Sequence, residues 1–190
     1  AQIFMSSTVI IIPSRLEAKR LPNKPLKIIK GNEIINHVYD LAVKSGAGEV
    51  LVATPDKEIS ELIIKKGGKS FLSKDRHETG TDRVYEAFKV YYSNKPSIII
   101  NLQGDMPNLK PESISYLSNY LKKGLCDVAT LASSLQDKSE IENNNIVKVV
   151  TKNNIQNSDF SEALDFKRII DPKESKFIYH HIGIYGFTSK

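Results

Sequence analysis

The spacing of apolar residues along this chain switches repeatedly between two periods. "STVIIIP" is a short, continuous β-branched run with no polar face, which predicts a strand buried on both sides. In "NEIINHVYDLAVKSGA", Ile34, Ile35, Val38, Leu41 and Ala42 recur at helical spacing, and Gly46 stops the helix. "EVLVAT" reads as the second strand, and "DKEISELIIKKGG" as a helix with Ile59, Leu62 and Ile63 on one face. The short strand "KSFL" leads into the polar loop "SKDRHETGTDR" and a helix whose apolar side is Val84, Ala87, Phe88 and Tyr91. "SIIINLQGD" is another fully apolar strand that ends abruptly in polar residues, and "PESISYLSNYL" is a helix with Pro111 in its first turn. "DVATLAS", "VKVVT" and "FIYHHIGIYGF" are strand-like, whereas "KSEIENNN" and "NNIQNSDFSEALDFKRIIDPKES" are the least regular stretches. Strands alternating with helices predict an α/β fold with a mostly parallel sheet covered on both faces.

Length and composition narrow the picture. The 190 residues suffice for one α/β domain with a substantial core. The net charge of +5 raises nucleic acid as a partner. The lysines are scattered, however, with no run of five or six, so a solvated basic surface is the expectation and neither nucleic acid nor membrane is. No continuous apolar stretch approaches a membrane span. The single cysteine, Cys126, rules out an intramolecular disulfide and a cysteine-based zinc site, and its apolar setting predicts an inert thiol. "AQIFMSSTVIII" lacks the features of a signal peptide, so Met5 is a candidate start and the expected location is cytoplasmic.

Polar clusters follow three of the expected strands, and in an open parallel sheet ligands bind outside the carboxyl ends of strands. After Ile12 comes a loop carrying Pro13, Ser14, Arg15, Lys19, Arg20 and Lys24 without a single glycine, so it is no P-loop. Such a loop must hold an anion with side chains: Arg15 and Arg20 as forks on phosphate oxygens, Lys24 as a point charge. A solvated basic turn is the alternative. In "ETGTDR", Thr79, Gly80 and Thr81 offer backbone and hydroxyl groups to a base or ribose, with Arg83 in the first turn of the next helix and Asp82 suited equally to capping that helix or to the ligand. In "NLQGDMP", Asp105 stands at the rim of a buried sheet, where a lone carboxylate is costly unless a cation or donors compensate. Mg²⁺ takes one or two carboxylates plus phosphate oxygens, so an Asp facing a basic loop suits it; a helix cap is the competing role. His37 and His77 are expected to be incidental. His180 and His181 point to opposite faces of their strand, with Tyr185 on the same side as His181.

"IIPSRLEAKRLPNKPL", "GTDRVYEA", "NLQGDMP" and "YHHIGIYGF", in this order, resemble the 3-deoxy-D-manno-octulosonate cytidylyltransferases, the CMP-Kdo synthetases, over essentially the whole chain. The resemblance implies a Rossmann-like three-layer nucleotidyltransferase fold of the nucleotide-diphospho-sugar transferase type. It implies CTP, Kdo and Mg²⁺ as ligands, a homodimer, and CMP-Kdo for lipopolysaccharide as product. It assigns Pro13, Ser14, Arg15, Arg20, Lys24, Thr79, Gly80, Thr81 and Arg83 to the nucleotide. Gln103, Arg168, His181 and Tyr185 go to the sugar, and Asp105 to the metal; Arg15, Lys24 and Asp105 are the implied catalytic group. "ALDFKRII" departs from the family's A-L-Y-F-S-R, with Asp165 in place of an aromatic and Lys167 in place of a serine. That departure leaves another acidic sugar (a sialic acid or amino-Kdo) as the neighbouring reading, and a non-catalytic nucleotide-binding module as the reading from a different class. The family continues past the position of Lys190, through a dimerisation segment and a second metal-binding aspartate, so a piece of a longer product is expected here.

Overall fold

The computed structural model describes residues 7–17, 22–73, 76–155, 160–171, 173 and 177–190. Strand β1 (Thr8–Pro13) is buried throughout, as its unbroken apolar run requires. A single turn of 3₁₀ helix at Lys24–Leu26 and a two-residue hairpin, β2 (Ile28–Ile29) with β3 (Asn32–Glu33), lead into α1 (Ile34–Ser45). Gly46 closes α1 at φ 63°, the left-handed conformation that glycine adopts without a Cβ penalty. Then come β4 (Glu49–Thr54), α2 (Lys57–Lys65), β5 (Lys69–Leu72), α3 (Gly80–Val90), β6 (Ile98–Asn101) and α4 (Pro111–Lys122). The remaining elements are β7 (Val128–Ser133), α5 (Lys138–Glu142), β8 (Lys148–Thr151), β9 (Ala163–Lys167) and β10 (Ile178–Thr188).

Contacts divide the chain into two compact units. The first comprises everything up to Ala129 together with Ile184–Lys190, the second Thr130–Gly183. In the first, β1 pairs in parallel with β4 and β6, β4 in parallel with β5, and the last residues of β10 run antiparallel to β6. The fold is therefore α/β with a mixed, mostly parallel sheet, as the alternation predicts. Strand alternation decides which helix each side chain meets. Val9, Ile11, Leu51, Ala53 and Ile99 pack with Val84, Ala87 and Phe88 of α3. The intervening residues face α4: Thr8 Oγ1 lies 2.8 Å from Ser118 Oγ, and a Cβ on Gly186 would meet Leu121 Cδ1 and Ile100 Cδ1. The sheet is thus covered on both faces, which explains why its central strands have no polar side.

The second unit holds β8 between β9 and the first residues of β10, both antiparallel to it, and Thr130 of β7 donates to the Ile182 carbonyl. Here the expectation of least regularity needs correcting. "KSEIE" forms α5, capped by the Asp137 carboxylate on the Glu140 N–H, and "ALDFK" forms β9. The reason lies in exposure: Leu164 and Phe166 of β9 are 58% and 44% exposed, so the strand shows no inward apolar pattern. Tyr91 likewise falls just past α3, 42% exposed, with its ring edge-on to Phe71 and Tyr92. Among the described residues, no helix is long and apolar enough to cross a membrane.

Candidate active site

Because β1, β4, β5 and β6 are parallel, their carboxyl ends open on one edge of the first unit, and the segments leaving them meet there. The chain leaving β1 is tied down at once. Ser14 N–H donates to Ala53 O at 3.0 Å, and Leu16 N–H to the Asp56 carboxylate at 2.8 Å. Asn23 N–H returns to Leu16 O at 2.9 Å, closing the loop that delivers Lys24. Lys24 Nζ lies 2.7 Å from Asp105 Oδ2, so the basic loop and the segment after β6 face one another.

Two glycines allow the close packing. A Cβ on Gly80 would sit 3.2 Å from Pro13 Cγ and 3.3 Å from Gln103 Oε1. One on Gly104 would sit 3.1 Å from Pro13 O and 3.3 Å from Ser14 Oγ. Pro13, Ser14, Gly80, Gln103 and Gly104 therefore occupy one small volume. Asn101, fully buried at the end of β6, links the loops by accepting from Gln103 Nε2 (3.1 Å) and donating to Thr81 Oγ1 (3.4 Å). Tyr185 stands opposite Asn101 in register, and burial raises its hydroxyl pKa.

The start of α3 corrects one expectation. Thr79, not Asp82, is the cap: its Oγ1 accepts from Asp82 N–H and donates to the Asp82 carboxylate at 2.5 Å. Arg83 comes next in the first turn, only 3% exposed, and its Nε is buried without a hydrogen-bond partner among the described residues. Burial lowers its pKa and the Arg15 charge lowers it further, with Asp56 and Glu86 opposing. Ser14 Oγ, 5% exposed, is also buried without a partner among the described residues. Asn36 Oδ1 and Ser70 Oγ are likewise buried without a partner among the described residues, but only Ser14 and Arg83 belong to segments at the strand-end edge, where a polar or anionic ligand would satisfy them. Asp105 departs from the expectation of a buried carboxylate: its side chain is 52% exposed, because it lies beyond the strand end.

Of the residues expected from sequence, the first unit brings together Pro13, Ser14, Lys24, Gly80, Thr81, Arg83, Gln103, Asp105 and Tyr185, with Arg15 exposed and Thr79 at the neighbouring cap. Arg20 lies outside the described residues. Arg168 and His181 belong to the second unit. There Arg168 Nη1 donates to Asn145 O at 3.1 Å, while His181 Nε2 lies 2.9 Å from Thr130 Oγ1 with its ring edge-on to Phe166. Burial, and then the neighbouring His180, lower the His181 pKa. His77 is bound to Glu86 at 2.5 Å and so fastens the segment after β5 to α3. Sequence reasoning missed Asn101, which ends an isoleucine run; Asp56, which reads as a helix cap; and Lys148, a fully buried lysine on β8. Only a polar residue closing an apolar strand, as Asn101 does, carried a usable signal.

A parallel sheet whose strand ends gather cations, a carboxylate and unpaired buried donors defines a nucleotide-binding α/β enzyme of the nucleotidyltransferase type. The cytidylyltransferase family model matches residues 9–190, and the chain belongs to that family. A 3-deoxy-manno-octulosonate cytidylyltransferase of Brucella anthropi is 37% identical over 181 residues, 95% of this chain and 72% of the relative. Its counterpart in Brucella ovis is 36% identical over the same span. The solved structure of CMP:2-keto-3-deoxy-manno-octonic acid synthetase complexed with CTP superposes with a TM-score of 0.84 at 34% identity, covering 97% of this chain and 75% of that one.

Proposed function

We propose that this chain transfers the cytidylyl group of CTP to the anomeric hydroxyl of 3-deoxy-manno-octulosonate (Kdo), giving CMP-Kdo for lipopolysaccharide synthesis and releasing pyrophosphate. The observation that carries the proposal is the meeting of the basic loop with the segment after β6, Lys24 Nζ 2.7 Å from Asp105 Oδ2, with Ser14 Oγ and Arg83 Nε at the same strand-end edge buried without partners among the described residues. The likeness to a structure containing CTP supports the nucleotide, and the names of the relatives support the sugar. The same reading makes the enzyme cytoplasmic and, by family likeness, a homodimer.

In the reaction the anomeric oxygen bonds to the α-phosphorus while the bond from that phosphorus to the bridging oxygen breaks. The electron pair leaves with pyrophosphate, and the hydroxyl proton passes to solvent. Such transfer depends on positioning and charge neutralisation more than on covalent participation by the protein. Arg15, Lys24 and Arg83 would hold and neutralise the triphosphate; Thr79, Gly80 and Thr81 would border the nucleoside; Gln103 and Tyr185 would meet the sugar. Arg168 and His181 are proposed for the sugar's carboxylate and hydroxyls.

Asp105 fits a magnesium ion: it is half exposed, and such an ion is commonly held by one or two carboxylates plus substrate phosphates. No group of three or more metal-ligating side chains occurs among the described residues, so Asp105 would hold the ion together with phosphate oxygens of the substrate. When bound, the ion would supply neutralisation of the charge that develops on the triphosphate.

The test is a matrix of CTP, UTP, ATP and GTP against Kdo, a sialic acid and amino-Kdo, read by pyrophosphate release. CTP with Kdo should give the highest turnover. Comparable turnover with UTP would remove the cytidine assignment, and preference for another sugar would move the enzyme to that substrate.

A further inference from the structure

We propose that Asp56 is a positioning residue that anchors the base of the phosphate-binding loop. The inference rests on the nucleotide reading above and goes beyond it in naming what holds the cations in place. Asp56 occupies the cap position of α2, yet its side chain makes no capping hydrogen bond. Instead Oδ2 accepts the Leu16 N–H at 2.8 Å, from a residue 40 positions earlier in the chain. Its own backbone N–H is held by Thr54 Oγ1 at 3.1 Å, so the carboxylate projects from a fixed strand end.

Leu16 is bound on both sides. Its N–H goes to Asp56, and its carbonyl accepts the Asn23 N–H at 2.9 Å. Two residues earlier, the Ser14 N–H is held by Ala53 O. Arg15 is therefore strung between two fixed points, while Asn23, in the left-handed conformation at φ 57°, starts the turn that aims Lys24. Removing the Asp56 carboxylate releases one of the fixed points of Arg15 and the near anchor of Lys24 together. Asp56 also interacts electrostatically with the Arg83 guanidinium. Its charge favours the charged form of Arg83 against the opposing influence of Arg15. Such an anchor holds Arg15 and Lys24 ready, and preorganised cations bind without the cost of ordering them.

The experiment compares Asp56→Ala and Asp56→Asn with the unaltered protein. Calorimetry gives CTP affinity, steady-state kinetics give the two KM values, and thermal melting serves as the control. A charge-assisted hydrogen bond of this kind corresponds to roughly a tenfold change in affinity. Asp56→Ala should raise the Kd for CTP by about that factor and leave the KM for the sugar unchanged. Asp56→Asn keeps an acceptor for Leu16 and should recover most of the CTP affinity. An unchanged CTP Kd in Asp56→Ala would overturn the inference, as would equal loss for both substrates with a lowered melting temperature, the sign of a merely structural role. If the unaltered protein fails to bind CTP, the nucleotide reading itself falls, and that outcome is separate from either variant.

Discussion

Lys24 Nζ and Asp105 Oδ2 stand 2.7 Å apart, joining two strand-end segments separated by 81 residues of chain. Both side chains are substantially exposed, 37% and 52%, and exposed ion pairs contribute about 0–1 kcal/mol to stability. The pair is therefore better understood as two binding groups facing one ligand than as a brace for the fold. Lys24→Ala should lower CTP affinity by roughly ten- to a hundredfold, the equivalent of one charge-assisted phosphate contact. Its melting temperature should hardly move. Calorimetry with CTP checks the first part and a thermal scan the second.

Arg83 presents the opposite balance. It is 3% exposed, burial depresses its pKa, and no described residue supplies an acceptor at Nε. A buried charge without full compensation costs stability, so replacing it by an apolar side chain of similar length is neutral or stabilising. Arg83→Met should melt at or above the temperature of the unaltered protein while losing most of its CTP affinity. Saturating CTP should also stabilise the unaltered protein, by about 2.7 kcal/mol at a hundred times Kd, and the variant far less. A lowered melting temperature with full CTP binding would show that Arg83 serves the core.

The second unit carries a pH dependence whose sign is set by His181. Burial and the neighbouring His180 hold its pKa below the ordinary value of about 6.5. The unfolded chain thus binds a proton more readily than the folded one. The contribution to stability is complete above the ordinary value and is lost as pH falls through the lowered one. Denaturant melts between pH 8 and pH 5 should show this loss in the unaltered protein and a flatter profile in His181→Gln.

Lys148 is fully buried on β8, with Nζ donating to Asn143 O at 2.9 Å and also to Arg168 O. Burial and the Arg168 charge lower its pKa. Lys148→Met keeps the volume but leaves both carbonyls without that donor, a loss of about 1–3 kcal/mol per unsatisfied group. Chemical denaturation should report the destabilisation. If Arg168 serves the sugar, the sugar KM should rise while the CTP Kd stays constant.

Much of the fold and site is readable in the sequence, for identifiable reasons. Isoleucine runs such as 10–12 and 98–100 have no polar face, so they could only be central strands, and the residues leaving a central parallel strand lie at the ligand edge. That logic reached Arg15, Lys24 and Asp105, while Gln103 came only from the family resemblance. It failed at β9, whose apolar side chains point outward, and at the hairpin of β2 and β3, two residues a side. It also failed for Asp56, since a carboxylate ahead of a helix looks like a cap whether or not it caps. Only the fold reveals that this one reaches instead to Leu16. The same holds for Arg83: its place in α3 is legible, but its burial depends on packing that no local pattern carries.

Metal-assisted cytidylyl transfer at the strand ends is open to one direct test, pyrophosphate release from CTP and Kdo against magnesium concentration. It should be made with the unaltered protein and with Asp105→Asn, which preserves size and removes charge. The account predicts magnesium-dependent turnover in the first, and loss of turnover with an unchanged melting temperature in the second. A helix cap would tolerate the change, because Asn caps about as well as Asp. Near-normal release by Asp105→Asn, measured in the full-length enzyme, would contradict it.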